Sequence, residues 1–275
     1  MQRNLTSSDV YGRVHELDVE TANAIATRLE ARASHPLFVQ VIDDYLVRLE
    51  PASLGNVLDL GCGTAIVARA VARRPDFKGT ITAIDISAHL VEVGRGHASR
   101  EGLAGRIEFK VGDVHSLDVG EGVFDAVIAH TLLSHVADPL TVLRQTKRLL
   151  APEGRLVVFD GDYASLTFTT DDPDHGRASD EGIISALVAH PRIMRIMPRL
   201  LDAAGYRLVW SRAYIAADIG QADFFAPGLA SFRVLLPKAG VKSEEEAKIW
   251  VDAQEEASSA NRFFAASSFY SYLAI

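Results

Sequence analysis

The stretch Asn56-Val57-Leu58-Asp59-Leu60-Gly61-Cys62-Gly63-Thr64-Ala65 constrains this chain more than any other. An apolar run that ends in an acid and two glycines one residue apart predicts a buried strand, a tight turn and a helix opening with Ala65-Ile66-Val67. Glycine permits backbone angles that other residues avoid, and it lets a ligand lie against the main chain without meeting a Cβ atom. The helix that follows points unpaired N–H groups and the positive end of its dipole at that ligand. Together they predict a nucleotide-type site at the carboxyl edge of a parallel sheet.

Gly-x-Gly alone is common in α/β proteins, so the spacing of two further acids matters. Twenty-two residues after Gly63, Gly79-Thr80-Ile81-Thr82-Ala83-Ile84-Asp85 reads as a second strand ending in a carboxylate, suited to a ribose diol. Ile107-Glu108-Phe109-Lys110-Val111-Gly112-Asp113-Val114 reads as a third. An acid there can accept from an exocyclic amine such as that of adenine, while Val114 offers a backbone N–H. A nicotinamide dehydrogenase is the competing reading on the same architecture. Its fingerprint wants a third glycine where this chain has Ile66, and it has no necessary use for Asp113.

These motifs resemble those of the class I S-adenosylmethionine-dependent methyltransferases, in particular the small-molecule group that includes the quinone-biosynthesis enzymes. The resemblance runs from about Val57 to Ala217. It is carried by Val57–Ala65, Ile84–Ser87, Gly112-Asp113-Val114, Phe124-Asp125-Ala126-Val127, His135-Val136-Ala137-Asp138-Pro139 and Leu150-Ala151-Pro152-Glu153-Gly154-Arg155-Leu156. Glu153 stands where a second glycine is commoner, a departure expected to alter only the turn before strand five. The resemblance implies a Rossmann-like, seven-stranded sheet, mostly parallel with an antiparallel final strand and helices on both faces. It implies S-adenosylmethionine as cofactor, S-adenosylhomocysteine as product, and a small, partly apolar molecule as acceptor at oxygen, nitrogen or carbon. A cofactor-binding protein that transfers no methyl group is a further alternative.

The resemblance also distributes the cofactor contacts. Asp59, Gly61 and Gly63, with Cys62 between them, take the methionine end; Asp85 takes the ribose hydroxyls; Ile86 packs on the adenine. Asp113 and Val114 bind the adenine edge, and His130 and Thr131 sit below the sulfonium. Tyr11 matches an N-terminal aromatic that folds over the cofactor, where a cation–π contact can form; ordinary packing is the other reading. Methyl transfer is an in-line displacement with an activated leaving group, so it needs little beyond alignment and, for a protonated acceptor, a base. His130, at the end of strand four, is the candidate base or orienting group. Asp160 and Asp162, with Tyr163, would face the acceptor. His135 matches a family histidine that is more often structural. Cys62 has no sequence-evident base partner and is discounted as a nucleophile.

A net charge of −8 gives no support to a nucleic-acid substrate. Cys62 is the single cysteine, which excludes an internal disulfide and fits a reducing cytoplasm. No apolar run approaches the ~20 residues that span a bilayer, and the polar start lacks a signal-peptide pattern, so no membrane partner is expected. A homodimer is compatible with all of this, and no metal is called for.

In chain order, residues 1–17 read as an arm, followed by helices over Asp18–Ala33 and from Pro36 to about Leu49. Residues 1–50 form an N-terminal helical cap on this reading, and 51–217 the cofactor-binding core. Helices are expected over 65–74, from Ser87 to about Arg100, after Asp138-Pro139, and over Arg192–Ala204; strand five is expected over Arg155–Asp160. The segment Asp162–Pro191 reads as a loop, within which Asp171, Asp172 and Asp174 either hold a hard cation or form a hydrated turn. Residues 218–275 read as an inserted, substrate-facing segment over 218–262, with an acidic helix around Ser243–Ser258, then a final strand over Phe263–Tyr272.

Overall fold

The computed structural model describes residues 9–275; residues 1–8 of the expected arm lie outside the described residues. In chain order the elements are α1 (Val19–Ser34), α2 (Pro36–Leu49), β1 (Asn56–Leu60), α3 (Ile66–Arg73), β2 (Thr80–Asp85), α4 (Ala88–Arg100), β3 (Ile107–Val111) and β4 (Phe124–His130). Then come α5 (Pro139–Leu149), β5 (Leu150–Phe168), α6 (Arg177–Leu187), α7 (Ile193–Ala203), β6 (Leu208–Gly220), α8 (Ala226–Lys238), α9 (Glu244–Ser259) and β7 (Phe263–Ala274).

The seven strands form one sheet in the order β3-β2-β1-β4-β5-β7-β6. Pairings from β3 through β5 are parallel, and β7 runs antiparallel to both β5 and β6. Alternation along the strands sends side chains to two helix-covered faces. Val57, Ile81, Ala126, Ile128, Val157 and Phe159 join a core with α2, α3 and α4, whereas Leu58, Leu60, Val127, Leu156 and Val158 join a core with α5 and α7.

The chain walks outward from β1 to β3, then returns to place β4 on the other side of β1. At that reversal the connections leave in opposite directions, so a crevice opens beyond the carboxyl ends of β1 and β4. Helix starts along this edge follow local rules: Ser87 caps α4 by accepting from Leu90 N, and Asp138 caps α5 by accepting from Thr141 N with Pro139 in the first turn.

α2 packs Phe38, Val41, Tyr45, Leu46 and Leu49 into the core beside α3, and Phe38 also borders the carboxyl-edge crevice that α1 crosses. Two expectations need correction. β5 does not stop at Asp160. It continues, past an irregularity between Asp162 and Thr167, to Phe168, because Thr167 and Phe168 pair with Ala266 and Ala265. Segment 162–191 is thus not all loop; it also holds α6, whose Ile183, Ala186 and Leu187 are buried. Asp174 accepts from Gly176 N and Ala178 N in the turn before that helix. Between β6 and β7, α9 starts on a full capping box, Ser243 with Glu246, and α8 adds a second helix that packs on α1 and α9. Among the described residues no helix is long and apolar enough to cross a membrane.

Candidate active site

A cavity of about 490 Å³ opens at the sheet reversal. Its floor is the turn after β1. Gly61 and Gly63 both have positive φ, +69° and +52°, and a Cβ on Gly61 would come within 2.6 Å of Leu132 Cδ1. Asp59, Cys62, Ile66 and Val67 complete that wall. From β2 come Asp85 and Ile86, and from the segment after β3 come Asp113, Val114 and His115. The end of β4 supplies His130 and Thr131, the latter in a left-handed conformation (φ 53°), with its N–H donating to Phe159 O at 2.6 Å. A non-glycine residue held in that region marks a place where the surroundings dictate the backbone.

The acids differ in environment. Asp85 is buried and spans the turn, accepting from Gly63 N through Oδ2 at 2.8 Å and from Ser87 N through Oδ1 at 2.9 Å. Burial raises its pKa against those two backbone bonds. Asp59 accepts from Ala68 N at 2.9 Å, and burial, opposed by that bond, pushes its pKa up to about 7. Asp113 is half exposed and its Oδ1 takes both the backbone N–H and the ring Nδ1 of His115; the backbone bond chiefly holds its pKa down. Burial pushes the Cys62 thiol well up, which leaves it a thiol and not a nucleophile.

His130 is enclosed by the rings of Phe38, Tyr45 and Phe159, the last 4.5 Å away, and its Nδ1 pairs with Tyr45 Oη at 3.1 Å. Burial first, and then the Arg32 charge, lower its pKa to about 3, so the ring is neutral. His135 behaves in the opposite way. Burial disfavours its charge, but Asp9, 3.0 Å from Nδ1, outweighs burial and raises the pKa. Asp9 also accepts from Tyr11 N, Gly12 N and Ala189 N, which lays residues 9–12 across the mouth of the cavity. Tyr11 lines the cavity there, 5.6 Å from the His135 ring.

Asp160 and Asp162 are not where the sequence reading expected them. Asp160 is fully buried beneath the site, accepting from Ser134 N, Ser134 Oγ and Gly161 N, and Asp162 is ion-paired with Arg195 at 2.8 Å. Neither lines the cavity. A hydrogen-bonding role at the end of β4 satisfies the first, and the α7 guanidinium satisfies the second. Tyr163, next along β5, does line it. The reading missed Asp9, Arg28, Arg32 and Phe38. A signal for the arginines existed: they stand at i and i+4 beside the apolar stripe of α1, on a helix face that a solvated charge would not choose. Among the described residues no cluster of His, Cys, Asp or Glu suits a metal ion, and Asp171, Asp172 and Asp174 form only a turn.

Comparison with known proteins agrees with this geometry. A family model described as a methyltransferase domain matches residues 52–205, more than half of the chain. A protein of 37.1 kDa encoded by a transposon of Streptomyces fradiae is 31% identical over 71% of this chain and 55% of its own length. The ubiquinone biosynthesis O-methyltransferase of Xanthomonas axonopodis is 32% identical over 52% of this chain and 59% of its own. The chain therefore spans less than two thirds of these relatives. A solved phosphoethanolamine N-methyltransferase from Haemonchus contortus, in complex with phosphomonomethylethanolamine and S-adenosylhomocysteine, shares the fold. Its TM-score is 0.59 and its identity 14%, over 100% of this chain and 61% of that one. The strand order, the glycine turn at the sheet reversal and the matched family model lead to one conclusion: this chain belongs to the class I S-adenosylmethionine-dependent methyltransferases.

Proposed function

We propose that this protein transfers a methyl group from S-adenosylmethionine to oxygen, nitrogen or carbon of a small, partly apolar molecule. The observation that carries the reading is a single cavity bordered by Gly61, Gly63, Asp85, Asp113 and Val114, contributed by three successive strand ends. The residues present fit an adenosyl sulfonium. Asp85 has carboxylate lone pairs left over for a ribose diol, and Ile86, 37% exposed on the cavity wall, offers an apolar surface to an adenine ring. The glycine turn leaves room for main-chain contact by the methionine end, with Asp59 and Cys62 behind it. Asp113 and Val114 would take the adenine edge, Tyr11 would close over the top, and His130 and Thr131 would lie below the sulfur.

The bound cofactor supplies a methyl group already activated by the positive sulfur. The chain's own work is to align the acceptor and exclude water. With a pKa of about 3, His130 acts as a neutral hydrogen-bonding group that orients the acceptor, not as a base at neutral pH. We further propose that residues 1–50 cover the site, that 51–217 hold the cofactor and that 218–275 shape the acceptor side, in a cytoplasmic setting suited to the lone Cys62.

Calorimetric titration with S-adenosylhomocysteine tests the reading. Binding is expected, with NADH showing none, and Asp85→Ala should weaken it about ten- to hundredfold, the worth of a charge-assisted hydrogen-bonding group. A wild-type protein that binds NADH and ignores S-adenosylhomocysteine would sink it.

A further inference from the structure

Arg28 and Arg32 stand one turn apart on α1, half-buried, and both line the cofactor cavity and a smaller adjoining one of about 40 Å³. Among the described residues neither makes an ion pair. Their hydrogen-bond partners are neutral: Arg28 donates to Tyr11 Oη, and Arg32 to Thr131 Oγ1 at 3.2 Å. Their guanidinium carbons lie over rings instead, Arg28 5.4 Å from the Tyr11 centroid and 5.3 Å from that of Phe232, and Arg32 4.9 Å from that of Phe38. By contrast Arg69, behind the same helix, is paired with both Glu30 and Glu101 at 2.5 Å.

Two like charges at i and i+4, partly stripped of water and without a counter-ion, oppose each other and the fold. Such a pair is stable where a ligand brings the missing negative charge, and the planar fork of arginine matches carboxylate and phosphate oxygens in pairs. The walls around the pair are aromatic. Phe224, Phe225 and Phe232 come from the segment between β6 and β7, and Phe168 and Phe269 from β5 and β7. Gly228 of α8 faces Arg28: a Cβ there would meet its terminal nitrogen at 3.7 Å, an ordinary contact.

We propose that the methyl acceptor is an anion, its carboxylate or phosphate received by Arg28 and Arg32 and its apolar body extending from the larger cavity towards the aromatic wall of the smaller one. This rests on the methyltransferase reading. It narrows the acceptor to an oxyanion with a ring or short chain.

The test uses the full chain saturated with S-adenosylhomocysteine and titrated to millimolar 4-hydroxybenzoate, 4-hydroxyphenyl phosphate or uncharged 4-hydroxybenzamide. At least one anion is expected to bind tenfold or more tightly than the amide; which one does distinguishes carboxylate from phosphate. Arg28→Gln and Arg32→Gln should each erase that preference, with any loss of S-adenosylhomocysteine affinity smaller than the loss of anion affinity, and Arg28→Lys should restore part of it. Equal binding of amide and anions, or no binding of any of the three, overturns the proposal. So does a tenfold loss of S-adenosylhomocysteine affinity in the Gln variants with the anion preference intact, which would put the arginines on the cofactor's own carboxylate. A wild type that does not bind S-adenosylhomocysteine overturns the methyltransferase reading first, and this proposal with it.

Discussion

Two histidines on one cavity wall are set in opposite directions by their neighbours. His130 faces rings and a guanidinium, so burial and the Arg32 charge hold it at about 3, below its ordinary 6.5. The unfolded chain takes up this proton at higher pH than the folded one. Its contribution to stability is therefore intact above pH 6.5 and lost as pH falls from there towards 3. For catalysis the consequence is that no limb of the rate profile near neutrality belongs to His130. With an acceptor in hand, His130→Gln should lower kcat about tenfold, the worth of one orienting hydrogen bond. The shape of kcat/KM between pH 5 and 9 should stay as it was. A wild-type inflection that disappears in the variant would instead identify His130 as the base.

Elements of this fold are fixed by contacts of different range. Gly79 precedes β2 where that strand's first N–H, from Thr80, donates to Gly55 O at 2.8 Å. A Cβ on Gly79 would lie 2.1 Å from Gly55 O and 2.7 Å from Gly55 C, both backbone atoms that cannot swing aside. Gly79→Ala should therefore cost about 3 kcal/mol, at the upper end of overpacking effects, as read by urea unfolding. α9 shows the local extreme, since Ser243 Oγ accepts from Glu246 N while Glu246 accepts from Ser243 N at 2.7 Å. Ser243→Ala should cost about 1 kcal/mol in the same measurement, with cofactor affinity unchanged. The capping pattern made α9 legible in the sequence. α8, with Pro227 near its start and Pro237 inside it, carried no such signal and is held by Leu229, Phe232, Leu235 and Leu236 packing inward. The far half of β5 was likewise illegible, because Thr167 and Phe168 become strand only when β7, almost a hundred residues later, arrives beside them.

At the scale of the molecule, one buried acid joins the chain's beginning to its middle. Asp9, 1% exposed, ties Tyr11 and Gly12 to His135 after β4 and to Ala189 after α6. His135 is also faced by Asp160, Arg32, Tyr11 and Tyr163. Burial opposes its charge, but Asp9 raises its pKa, so the pair adds stability that is complete below about 6.5 and fades as pH climbs through the raised value. Asp9→Asn should destabilise the protein by about 1–2 kcal/mol at pH 6 in thermal unfolding, and the gap from wild type should narrow at high pH. Hydrogen exchange of the amides of residues 10–16 should quicken in the variant. A gap independent of pH would remove the ion pair from the account.

What the amino-acid sequence determined by itself was whatever depends on neighbours in the chain. The Gly61-Cys62-Gly63 turn, the strand ends at Asp85 and Asp113, and the caps at Ser87, Asp138 and Ser243 are each fixed by backbone conformation and hydrogen bonds within a few residues. Spacing among them was enough to identify the family and the cofactor edge of the sheet. Only the tertiary structure decided which side chains share the cavity with that edge. It turned Asp160 and Asp162 away into private hydrogen bonds and an ion pair, laid Asp9 on His135, and brought Arg28 and Arg32 against rings from α8 and α2. Except for Arg32 on Phe38, those contacts join residues tens to hundreds of positions apart, and their partners are chosen by packing and desolvation, which no local pattern encodes.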